Sequence, residues 1–129
     1  MQINGKEIFE KGGLMFNLSR MASLEHQDKY IVHPTAKHYE SPSEMADLLY
    51  TECENALLER FEFCFLPYER DALRVLVELI DKNFNDRGLL ETDDYEYLVH
   101  HNPSWIEVRE LALKTLHIFS YKPYNFNYD

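Results

Sequence analysis

Residues able to do chemistry are most concentrated around His100 and His101, which follow Asp93, Asp94 and Glu96 closely in the chain. Imidazoles beside carboxylates suggest a metal centre. Adjacent helical residues point about 100° apart, however, and no H-x-x-x-H, H-E-x-x-H or C-x-x-C spacing converges ligands on one point. His33 and His38 flank Pro34 without a third ligand at fixed distance and read as surface residues. The two cysteines, Cys53 and Cys64, read as reduced core thiols, and Cys64 between Phe63 and Phe65 is poorly placed to become a thiolate nucleophile. The glycines are Gly5, Gly12, Gly13 and Gly88, which leaves no nucleophile elbow, phosphate loop or dinucleotide fingerprint. The carboxylates are more simply read as helix starts and solvated faces. These residues imply no metal, no cofactor and no catalytic group.

The elements that must position these groups are helical. Ser41-Pro42-Ser43-Glu44 has the form of a capping box with proline at the first helical position, opening a helix from Pro42 to about Phe63. Met45, Ala46, Leu49, Cys53, Ala56 and Leu57 share one arc of it. The opposite face gathers Glu44, Asp47, Glu59 and Glu62 around Leu48 and Leu58. Pro67 begins a second helix to about Asn83, whose wide apolar arc, from Ala72 to Phe84 and including Val75, Val77 and Leu79, predicts the centre of the fold. Its polar stripe is spaced for Arg74 with Glu78 and Glu78 with Lys82. A turn over Asn85, Asp86, Arg87 and Gly88 follows, with Gly88 suited to a left-handed conformation. Thr92 is placed to start a short helix through His101, and Ser104 with Glu107 forms a second capping box for a helix to about Phe119. Ile8 to Met21 reads as a helix interrupted at Gly12 and Gly13, and Lys29 to His33 as a short strand or extended arm. Tyr124, Phe126 and Tyr128 predict an aromatic edge laid back on the bundle. The expectation is therefore one mainly α domain over residues 1–129, a compact bundle of four to five helices. It comprises an irregular or partly helical arm (1–41), a helical core (42–119) and an aromatic tail (120–129).

Charge is the most informative functional signal. The 129 residues carry a net charge of -10, from 13 basic and 23 acidic side chains. Residues 1–43 are neutral, with Lys6, Lys11, Arg20, Lys29 and Lys37 against Glu7, Glu10, Glu25, Asp28 and Glu40. Residues 102–129 balance Arg109, Lys114 and Lys122 against Glu107, Glu110 and Asp129. The whole excess falls in residues 44–101. Such a field repels nucleic acid and anionic lipid and steers cationic partners, so a basic protein is the implied partner, with no direct nucleic-acid binding. The longest stretch free of Asp, Glu, Lys and Arg, Tyr97 to Ile106, is too short and too polar for a membrane span, and the amino end lacks a secretion signal. These features predict a cytoplasmic chain.

Two acidic surfaces compete for the partner. The preferred one is the loop and short helix of Asp86, Glu91, Asp93, Asp94 and Glu96, with Tyr95 and Tyr97 as rigid anchors. The alternative is the first-helix face of Glu44, Asp47, Glu54, Glu59 and Glu62 with Leu48 and Leu58.

In size, helical body and a localised acid surface bearing Tyr50, Tyr68, Tyr95 and Tyr97, the chain resembles bacterial immunity proteins of the contact-dependent inhibition or colicin type. The resemblance implies a non-catalytic protein that neutralises the nuclease domain of a cognate toxin. Residues 66–98, with Leu79-Ile80-Asp81 and Asp86-Arg87-Gly88-Leu89-Leu90, also look like a helical repeat of the core-binding region in the nitrogen-limitation sigma factor. That likeness implies a regulator docking on RNA polymerase or another nucleic-acid enzyme. The reading from a different class is a small carboxylate or metal-dependent hydrolase.

Overall fold

Helix α1, Gly13–Ala22, buries seven of its ten residues, with Leu14, Leu18 and Met21 fully enclosed. It belongs to a computed structural model that describes residues 13–85, 87–121 and 126. The Ile8–Gly12 portion of the helix expected here lies outside the described residues. The Glu52 carboxylate lies against Gly13, where a Cβ would overlap it until that flexible side chain moved. The fold is mainly α, as the periodicities indicate, and no strand occurs among the described residues.

Ser23, in extended conformation, caps the single turn α2, Leu24–Gln27, by accepting from His26 N at 3.0 Å. The chain then continues through a π-helical turn, Asp28–Val32, closed by His33 N donating to Asp28 O at 2.9 Å. The strand or extended arm expected over Lys29 to His33 is therefore corrected. Its β-favouring residues find no strand among the described residues to pair with, and helical bonding satisfies their backbone instead.

Helix α3, Pro42–Ala56, starts as its sequence dictates, with Ser41 Oγ accepting from Glu44 N at 3.4 Å and Pro42 in the first turn. Met45, Ala46, Leu49, Cys53 and Ala56 enter the core, with Leu57 half-buried. The helix stops at Ala56 rather than Phe63. Leu58 turns extended (φ -59°, ψ 144°) and Glu59–Cys64 forms a 3-10 turn. Pro67 disfavours helical geometry at Leu66, which is extended, and the turn before it delivers Phe65 to the core edge-on to Phe119 at 5.8 Å.

Helix α4, Pro67–Phe84, buries Leu73, Leu76, Ile80 and Phe84. It is not the innermost helix. Only six of its eighteen residues are buried and Val75 is 51% exposed. The broad apolar arc includes Val77 and Leu79 at its half-buried flanks, whereas α1 is enclosed by α3 and by α7, Pro103–Ile118. Arg74 pairs with Asp71 at 2.8 Å and not with Glu78. Gly88 is not left-handed: Asn85 keeps right-handed helical angles and the chain re-enters a short helix, α5, Arg87–Leu90, which buries Leu90.

Two further caps differ from expectation. Asp94, not Thr92, caps α6, Tyr95–His100, accepting from Tyr97 N at 3.0 Å, while Thr92 Oγ1 accepts from Asp94 N. Asn102, not Ser104, caps α7, accepting from Ser104 N at 2.9 Å and Trp105 N at 3.3 Å. Pro103 explains the shift, since proline has no N–H to lose at the first helical position and holds the preceding residue extended. Helix α7 lays Trp105, Val108, Ala112, Leu116 and then Phe119 against α1 and α4. Of the tail, Phe126 lies 4.3 Å from the His26 ring and 5.6 Å from Phe16, while Tyr124 and Tyr128 lie outside the described residues.

Candidate functional site

The preferred acidic surface is open to solvent over its described length. Glu91, Asp93, Asp94 and Glu96 are all exposed, and Tyr95 and Tyr97 are 37% and 51% exposed beside them. Among the described residues none of the four carboxylates has an ion-pair partner, so their field is uncompensated at short range. Asp94 is committed to capping α6, which holds Tyr97 relative to the acids. Tyr97 also packs near His101, at 6.0 Å between ring centroids. Asp86 lies outside the described residues.

The alternative face is split by the early end of α3. Glu44, Asp47, Leu48 and Glu54 are exposed on the helix, whereas Leu58, Glu59 and Glu62 belong to the turn beyond it. Glu62 is partly neutralised by Arg70 at 3.1 Å. The structure also shows what neither cluster revealed alone. Asp47 and Tyr50 of α3 and Asp81 of α4 edge one shallow groove, whose floor includes Ile80, Phe84 and Leu90. Asp47 of the alternative face thus lines this groove, and Leu90, which lines it too, immediately precedes Glu91 in the chain. Tyr50 donates to Asp81 Oδ2 at 3.3 Å. Local desolvation, followed by the charges of Asp81 and Glu54, raises its phenol above the ordinary range.

A second arrangement, buried and not foreseen from the sequence, ties residues 17–40 to the bundle. Glu40 accepts from Arg20 through Oε1 and meets His26 Nε2 at 2.6 Å through Oε2. Arg20 also donates to Asn17 Oδ1 at 2.9 Å. Gln27, fully buried, donates to the carbonyls of Arg20 and Met21 and accepts from Trp105 Nε1 at 3.0 Å and Arg109 Nη1 at 3.2 Å. Burial lowers the Arg109 pKa, with Glu110 opposing, and the guanidinium donates to Val99 O at 2.6 Å. The hydrogen bonds run mainly among these groups and nearby carbonyls, tying the segment to the bundle, while the buried Arg20 Nε has no hydrogen-bond partner among the described residues.

His100 makes a separate, half-exposed link. Its Nε2 lies 2.7 Å from Asp28 Oδ1, seventy-two positions away in the chain. The only sequence hint was Asp28 at the end of a capped turn, and no local rule connects it to residue 100. Among the described residues no group of three His, Cys, Asp or Glu side chains could hold a metal ion. Cys53 is buried and Cys64 half-buried, both free. No protein-family model, curated protein or solved structure matches the chain.

Proposed function

We propose that this chain is a non-catalytic acidic binding protein that neutralises a basic partner, the nuclease domain of a cognate toxin. The observation that carries the reading is the exposed carboxylate set Glu91, Asp93, Asp94 and Glu96, which has no ion-pair partner among the described residues and lies next to the exposed rings of Tyr95 and Tyr97. A nuclease presents cationic groups where it holds phosphate, and carboxylates on this loop and helix start occupy those groups in place of the nucleic-acid backbone. Long-range attraction from the net charge of -10 speeds the encounter. The tyrosines, desolvated on docking, prolong the complex.

The test is genetic and then biochemical. The reading frame beside this gene, expressed alone, arrests growth and degrades nucleic acid; co-expression of this chain restores growth, and the two proteins co-purify. A neighbouring product that is harmless, or a harmful one that neither binds nor is silenced by this chain, overturns the proposal.

A further inference from the structure

Tyr50 meets two carboxylates at the edge of the groove between α3 and α4. It donates to Asp81 Oδ2 at 3.3 Å, and Glu54, one turn further along α3, reaches the same phenol. Asp81 and Glu54 are both exposed, and among the described residues neither has an ion-pair partner. Helical spacing explains why. Three and four positions from Asp81 stand Val77, Glu78, Phe84 and Asn85, and from Glu54 stand Tyr50, Thr51, Leu57 and Leu58, so no base lies in pairing register with either acid. Lys82, next to Asp81, is instead four positions from Glu78. Asp47, also at the rim, is already engaged and is not needed for the charge.

Beside these acids the groove is apolar. Ile80, Phe84 and Leu90 form its floor, and its volume is about 190 Å³, less than the roughly 300 Å³ at which pockets for drug-sized molecules begin. The space suits one long side chain with an apolar stem and a cationic tip. Lysine matches on both counts, because its methylenes lie along apolar surface while the head stays polar, and its three rotatable N–H donors serve acceptors on separate groups. An arginine fork is matched to the two oxygens of a single carboxylate, whereas the acceptors here are divided among Asp81, Glu54 and Tyr50.

We propose that this groove is a docking site for one lysine side chain of a partner protein, with the ammonium at Asp81, Glu54 and the Tyr50 oxygen and the methylenes over Ile80, Phe84 and Leu90. Charge selects the occupant and the apolar floor selects its stem. The site uses none of the Glu91 to Tyr97 side chains, and it holds whether or not the partner is a nuclease.

The test uses the full chain, ¹⁵N-labelled, titrated with N-acetyl-lysine methylamide and with its norleucine and arginine counterparts. The lysine compound gives saturable shifts at the amides of Asp47, Tyr50, Asp81 and Leu90. The norleucine compound, which keeps the stem and lacks the ammonium, binds at least about fivefold more weakly. Glu54→Gln with Asp81→Asn weakens the lysine compound about tenfold, and Asp81→Asn alone weakens it by a smaller factor, which keeps the test open should the double variant unfold. Asp93→Lys with Glu96→Lys leaves the shifts in place. Four results overturn the proposal: no saturable shifts at these amides, equal binding of the norleucine or the arginine compound, an unchanged response in the Asp81→Asn variants, or self-association of the free chain that those variants abolish, which gives the groove to a second copy.

Discussion

His26 Nε2 and Glu40 Oε2 lie 2.6 Å apart, and Arg20 occupies the other oxygen of the same carboxylate. Burial of Glu40 alone would raise its pKa. The hydrogen bond and charge of His26, with the charge and hydrogen bond of Arg20, outweigh that and hold it below the usual carboxylate value. A depressed acid stabilises the fold above its unfolded pKa, about 4.3, and the contribution is lost as pH falls through the lower folded value. Glu40→Gln should reduce stability at pH 7 by about 2 kcal/mol and flatten the fall in Tm between about pH 5 and pH 3. Thermal unfolding followed by circular dichroism across that range checks both effects.

Leu76 is fully buried on α4, whereas Arg74 on the same helix makes an exposed pair with Asp71. Leu76→Asp places an unpaired carboxylate between helices and should abolish cooperative unfolding at 25 °C. Arg74→Ala should cost well under about 1 kcal/mol. Urea melts of the two variants separate the roles.

Cys53 is sealed in the core, where desolvation, followed by the charges of Glu52 and Glu54, pushes its thiol far above the ordinary range. Cys64 is half-buried. Ellman's reagent at pH 8 should modify one thiol in the native state and the second only in denaturant, and Cys64→Ser should remove the native reaction.

On the proposed partner surface, Asp94 also caps α6, so its reversal would confuse binding with a lost cap worth about 1 kcal/mol. Asp93→Lys with Glu96→Lys is the cleaner variant. It should slow association with the basic partner and reduce its salt dependence, while Tyr97→Ala should mainly hasten dissociation. Stopped-flow and surface-resonance kinetics at two ionic strengths distinguish the two effects.

Local chemistry was legible wherever one residue's geometry or a fixed spacing decided the outcome. Ser41-Pro42 and Pro67 begin helices because proline suits the first turn and restricts the residue before it, and Met45, Leu49, Cys53 and Ala56 share a face by period alone. The acid surface was legible too, since charge is a property of composition and short helix starts keep carboxylates in water. The caps at Asp94 and Asn102 were misplaced because neighbouring polar residues offered equivalent oxygens, and backbone geometry selected between them. Only the tertiary structure decided the rest. Whether Phe63 or Phe65 enters the core depends on how the chain reverses toward Phe119. Gln27 finds Trp105 and Arg109 across more than seventy residues because the buried amide must be satisfied where α7 closes over it, and Asp28 finds His100 because α6 packs against the π-helical turn.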